Sequence, residues 1–199
     1  MKIFKKTVVQ HEKNIKIGCI IFVVCFVGWE GYSKYQSVQL EKSSALLYAA
    51  TTVDDADMKK AQFKELSEKY AGTGSGVWGQ VELGHIAYND KYYDEAITHY
   101  KSALNELASS SPLRPLVQLN LSQSYENMGD MAQAKTSYQA LIEIAGFAGE
   151  GYLGLARLAE KEGDSGQALA NYKEYVNLPE TQAGQTKDWV DNKISQLSQ

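Results

Sequence analysis

An all-α architecture is written into this sequence: one N-terminal transmembrane helix, then a solenoid of stacked helical hairpins. Three observations carry it. An alanine followed four residues later by a tyrosine recurs as Ala96 with Tyr100, Ala134 with Tyr138 and Ala168 with Tyr172, the alanines being 38 and then 34 residues apart. A small residue (Gly84, Ser122, Ala156) stands 12 residues before each of those alanines. An uncharged apolar run, residues 17–29, lies near the start of a chain that is otherwise polar.

The recurring pattern resembles the tetratricopeptide repeat, a two-helix unit on a period near 34 residues that cannot bury its apolar face alone and so stacks on its neighbours. Taking Val77, Pro115 and Gly149 as repeat starts brings every landmark into register. The small residue falls at the eighth position and lets the two helices approach closely, as do Ala96, Ala134 and Ala168 from the opposite side. Leu83, Leu121 and Leu155 each precede that small residue, with Ala87-Tyr88, Tyr125 and Ala159 one turn on. The turns are read at Asn89-Asp90, Gly129-Asp130 and Gly163-Asp164, where Gly takes the left-handed cap geometry and Asp caps the next helix. The extra residues between the first two units fall in the polar segment 108–112, where insertion is cheap.

Residues 40–70 predict another hairpin of weaker signature. Ser43, Ser44, Ala45 and Tyr48 sit on its first helix, residues 52–57 form the break, and Met58, Ala61, Phe63, Leu66 and Tyr70 lie on its second. It reads as a degenerate capping repeat. Beyond the third repeat Pro179 closes a hairpin, and Trp189, Ile194 and Leu197 predict a helix over the exposed end of the stack. The expected organisation is a basic stub at 1–13, an anchor at 14–33, the degenerate hairpin at 34–76, three repeats at 77–182 and a capping helix at 183–199.

The apolar run spans roughly 20 Å as a helix, short of the bilayer core of about 30 Å. Lys13 and Lys16 extend it by snorkelling at one end, and Trp29, Tyr32 and Tyr35 by forming an interfacial belt at the other. Lys2, Lys5, Lys6, Lys13 and Lys16 precede the span and only Lys34 closely follows, so the positive-inside rule keeps the N-terminus cytoplasmic and exports the rest. A cleaved secretory signal also fits a basic start and a short apolar core, with small residues near Gly31 and Ser33. Trp29 and Glu30, intervening between core and cleavage site, favour the anchor. Neither Cys19 nor Cys25 has the flanks that lipid attachment needs.

Charge is unevenly divided: residues 1–29 carry +4 and residues 30–199 carry −8. An acidic exported portion without a Lys/Arg cluster disfavours nucleic-acid binding. Both cysteines lie inside the apolar run, so the exported portion relies on packing without disulfides. His11, His85 and His99 are the only histidines, and their spacing forms neither a metal set nor a nucleophile pair. The glycine-rich stretch 72–76 lacks the lysine and preceding strand of a phosphate loop and reads as an inter-repeat connection. No catalytic residue, cofactor or metal is expected.

A basic N-terminus, a transmembrane helix ending in Gly28-Trp29 with Tyr32 and Tyr35-Gln36, the stretch Ser-Ser-Ala-Leu-Leu-Tyr at 43–48 and a repeat array together resemble the bacterial family of ancillary Sec-translocon subunits. The resemblance covers essentially the whole chain. It implies a non-enzymatic inner-membrane protein whose periplasmic repeats bind translocon subunits, periplasmic chaperones or exported envelope proteins. A structural adaptor in cell-wall or outer-membrane assembly shares the same layout.

In the repeat fold the first helices line a concave groove, with positions 2, 5, 9, 12 and 13 inward. These positions are Trp78, Val81, His85, Tyr88 and Asn89, then Leu116, Leu119, Gln123, Glu126 and Asn127, then Glu150, Leu153, Arg157, Glu160 and Lys161. Trp, Tyr and Leu at one end have the composition of protein-binding hot spots. The peptide clamp best known for this fold has Lys at position 5 and Asn at position 9. Val81 and His85 depart from it, so capture of a C-terminal carboxylate is not expected.

Overall fold

The computed structural model describes residues 12–181 and 184–198. Lys2, Lys5, Lys6 and His11 of the expected stub lie outside the described residues, as does the side chain of Lys13. Nine α-helices make up the described chain: α1 (Glu12–Thr52), α2 (Ala56–Lys69), α3 (Gly74–Asn89), α4 (Tyr93–Glu106), α5 (Arg114–Met128), α6 (Met131–Ile142), α7 (Ala148–Glu162), α8 (Ser165–Asn177) and α9 (Gln185–Leu197). A short 3-10 turn, Pro179–Thr181, connects the last two.

Helix α1 runs unbroken for 41 residues, about 60 Å at 1.5 Å per residue. Its apolar stretch buries nothing within the chain and is long and apolar enough to cross a membrane. Phe22 and Trp29 are 70% and 71% exposed. Hydropathy changes near Ser33, but no residue there interrupts the helical hydrogen bonds. The first helix of the degenerate hairpin is therefore the distal half of α1, whose Leu46, Leu47 and Ala50 pack with Phe63 and Leu66 of α2 and Leu83 of α3. The break falls at 53–55, where the Asp55 carboxylate accepts from the Met58 amide at 2.8 Å and caps α2.

Three hairpins follow, α3/α4, α5/α6 and α7/α8, each stacked on the next. Helix α3 starts three residues before the expected Val77, because Thr73 accepts from the Gly76 amide at 3.0 Å and nucleates an extra turn. Glycine is needed there for approach. A Cβ at Gly76 would strike the Tyr70 carbonyl, and one at Gly79 would lie 2.8 Å from the Phe63 carbonyl oxygen. The glycines at 74–76 thus form the first turn of a packed helix.

Tyr100, Tyr138 and Tyr172 are fully buried, as are Ala96, Ala134 and Ala168. The small residue at the eighth position leaves room for the tyrosine of its own hairpin: a Cβ on Gly84 would meet the Tyr100 ring at 2.6 Å. In the second hairpin the same position does more, since Ser122 donates to Ser137 Oγ across the helices at 2.8 Å. Helix α9 closes the stack. Val190 is buried with Leu153, Ala156 and Tyr175, and Trp189 stands edge-on to Tyr172 at 5.7 Å.

Gly129 and Gly163 occupy the left-handed region at φ +87° and +77°. Asp130 and Asp164 cap the following helices by accepting from Gln133 and Gln167 amides. The first repeat departs from the expected Asn89-Asp90 turn. Asn89 still belongs to α3, Asp90 is its cap, and the left-handed residue is Lys91 at φ +64°. Lys91 and the two glycines share the fifteenth repeat position, so geometry keeps its register while the residue type does not. A non-glycine residue in this region costs about 1 to 2 kcal/mol. Lys91→Gly is therefore expected to stabilise the fold by about 1 kcal/mol, raising the thermal midpoint by about 2–4 °C. Circular dichroism of the full chain in detergent checks this, and an unchanged or lowered midpoint would contradict it.

Candidate protein-binding groove

The side chains expected in the groove come from α3, α5 and α7, the first helices of the three hairpins. A cavity of about 310 Å³ opens between α3 and α5, lined by Glu82, His85, Tyr88 and Asn89 of α3, Asn120 and Gln123 of α5, and Tyr100 beneath. Asn120 Nδ2 lies 2.9 Å from His85 Nε2. The amide donates to that nitrogen when the ring carries its proton on Nδ1, which faces the Glu82 carboxylate at 3.7 Å. Tyr100 meets the His85 ring edge-on at 5.7 Å. Tyr88 accepts from Asn127 Nδ2 at 2.8 Å, and burial raises its phenol above the ordinary range.

Toward the C-terminal end the same surface carries charge. Glu126 is 8% exposed, and its carboxylate accepts from Tyr138 Oη at 2.6 Å, Arg157 at 3.2 Å and Lys161 at 2.8 Å. Arg157 also donates to Tyr138 Oη at 3.0 Å. Gly154 makes room for this arrangement, since any Cβ there would collide with the Tyr138 ring. One repeat further, Glu160 accepts from Lys193 of α9 at 2.8 and 3.1 Å. Burial and the neighbouring Glu160 charge push the Tyr172 phenol up to about 12. Position 12 thus reaches forward three times, Tyr88 to Asn127, Glu126 to Lys161 and Glu160 to Lys193, tying each unit to the next.

These contacts sort the expected groove residues. His85, Tyr88, Asn89 and Gln123 share the cavity wall. Trp78 and Leu116 are exposed, at 36% and 48%. Glu126, Asn127, Arg157, Glu160 and Lys161 spend their polar atoms on links between units. Glu150 is exposed. Val81, 1% exposed, packs in the core with Val77, Ile97 and Tyr100; Leu153 is buried and Leu119 is half-buried against the core. Position 5 therefore faces inward to the protein, and position 6 takes its place at the surface. Glu82 and Asn120 stand there, unanticipated although each lies one turn before a residue that was expected, His85 or Gln123.

His99 is not part of the cavity. Its Nδ1 meets Gln80 Oε1 at 2.7 Å, just as Gln118 donates to Ser137 at 2.7 Å in the next hairpin. Burial lowers the His99 pKa from its ordinary 6.5. The unfolded chain therefore takes up this proton first, and the stability that His99 contributes is present above 6.5 and lost as pH falls through its lowered folded value. Burial opposes ionisation of Glu126, but hydrogen bonds from Lys161, Tyr138 and Arg157 outweigh it and hold the carboxyl below its ordinary 4.5. Its contribution is complete above that value and lost as pH falls further. Acidification is expected to lower the thermal midpoint in two stages, and Glu126→Gln to weaken the second while costing about 1 to 3 kcal/mol at neutral pH. Melting curves across pH read both, and a variant with an unaltered acid limb would exclude Glu126 as the linked group.

Comparison with protein families matches residues 5–198 to the family described as tetratricopeptide repeat-like domain. Comparison with curated proteins gives no match.

Proposed function

The chain belongs to the tetratricopeptide repeat-like domain family, and from that premise we propose that it is a non-enzymatic scaffold of the bacterial inner membrane, recruiting proteins in the periplasm at the exit side of the Sec translocon. The observation that carries this reading is the contrast along the first-helix surface. At the C-terminal end the polar side chains are engaged with one another, whereas Trp78 and Leu116 leave apolar surface exposed one helical turn before the cavity residues Glu82 and Asn120. Exposed aromatic and aliphatic anchors flanking a polar recess are what a protein partner buries. Translocon subunits, periplasmic chaperones and exported envelope proteins are the partners this reading names; nucleic acid is not among them.

The anchor occupies 14–33, the lysine asymmetry holds the stub at 1–13 in the cytoplasm, and the hairpin at 34–76, the repeats at 77–182 and the capping helix at 183–199 lie outside. Continuity of α1 supports an anchor over a cleaved signal, since cleavage near Ser33 would sever a helix whose distal half packs against α2 and α3. Purification from detergent-solubilised membranes is expected to recover translocon components. Recovery of cell-wall or outer-membrane assembly complexes alone would replace this reading with that of a structural adaptor. Trp78→Ala is expected to weaken partner capture by about 2 kcal/mol or more while leaving the helical melting curve nearly unchanged. A variant that unfolds, or binds undiminished, would remove Trp78 from the groove.

A further inference from the structure

Because α1 is one continuous helix, the anchor fixes where the hairpins stand relative to the bilayer. If the span ends at Ser33, Tyr35, Gln36 and Gln39 lie two, three and six residues beyond it, about 3 to 9 Å along the helix axis. These three residues line a cavity of about 140 Å³ together with Lys69, Tyr70, Ala71, Gly72 and Thr73. The α2–α3 connection therefore lies at the height of the headgroup layer, which is about 5 to 7 Å deep on each side of the core. Helices alternate in direction through the stack, so the chain returns to this side between α4 and α5, at 107–113.

The two ends of the hairpins differ in charge. The connections at 70–73 and 107–113 contain no Asp, Glu, Lys, Arg or His, and a carboxylate enters at this end only with Glu143 in the next connection, 143–147. The one carboxylate drawn into the first is Glu106, which accepts from the Gly72 amide at 2.9 Å. The opposite connections carry Asp54, Asp55, Asp90, Asp130 and Asp164, against the single cation Lys91 beside Asp90. Anionic turns are repelled by an anionic lipid surface within roughly a Debye length, about 8 Å at physiological ionic strength, so this polarity favours one end toward the bilayer.

We propose that the hairpin ends at 70–73 and 107–113 form a membrane-apposed surface, resting on the phospholipid headgroups of the membrane in which α1 is anchored. The repeat helices then stand along the membrane normal, and the stack extends sideways across the lipid surface. This rests on the anchored reading above, and the test separates the two.

The full chain carrying Cys19→Ser and Cys25→Ser is given a single cysteine by Ala71→Cys, Ser110→Cys, Asp54→Cys or Asp90→Cys, all at exposed positions. Each variant is labelled with a small fluorophore and reconstituted into phosphatidylethanolamine–phosphatidylglycerol vesicles containing a headgroup-linked nitroxide. Labels at 71 and 110 are expected to be quenched several-fold more than labels at 54 and 90. Equal quenching at both ends, or none at 71, in protein that floats with the vesicles overturns the apposition and leaves the anchor standing. Protein that fails to float overturns the anchored reading and the apposition with it. Matching circular dichroism melts among the four variants ensure that quenching reports position.

Discussion

A tyrosine ring buried in each of the three full repeats is the constraint on which the rest of this structure depends. Tyr100, Tyr138 and Tyr172 occupy the same repeat position and are fully buried, with Gly84 and Gly154 leaving room for the first two rings. Three equivalent rings then do three different things at the inner surface. Tyr100 floors the cavity beside His85. Tyr138 delivers its hydroxyl to Glu126 and Arg157. Tyr172 receives Trp189 of the capping helix. A periodic packing solution thus sets the spacing, and the local neighbours decide whether the surface above is an open recess, a charged joint or a covered end.

The joints differ in their physics. Tyr88 with Asn127 is a link between neutral groups, whereas Glu126 with Lys161 and Glu160 with Lys193 are ionic. Partly buried charge pairs hold their geometry by satisfying one another, because removing one partner leaves an uncompensated charge. Ionic links between the second repeat, the third repeat and α9 therefore leave fewer free groups for an outside partner than the α3–α5 region offers. The array is graded along its length, from a surface available to others to one occupied with itself.

Much of this was readable from residue spacing. The 34-residue recurrence located the tyrosines, the alanines and the glycine-aspartate turns because close packing and left-handed caps restrict residue type severely. Lys91 escaped because lysine carries no signal for positive φ; only its alignment with Gly129 and Gly163 marks the position. Val81 was placed on the surface by a positional rule, yet its fully apolar side chain belongs with Val77 and Ile97. Glu126 and Lys161 are 35 residues apart, and their pairing depends on how one repeat rotates onto the next, which no local pattern encodes. The continuity of α1 was obscured by its change in hydropathy near Ser33, since solvent preference and helix propensity are separate properties.

That continuity also has a mechanical side. A pull on the N-terminal apolar stretch travels along the axis of α1, parallel to its packing against α2 and α3. Leu46, Leu47 and Ala50 are then loaded together in shear, sharing the force, instead of being peeled away one turn at a time as they would be by a load across the helix. With no break in the helix between residues 33 and 52 to absorb extension, the first hairpin acts as a stiff strut between the apolar stretch and the repeats.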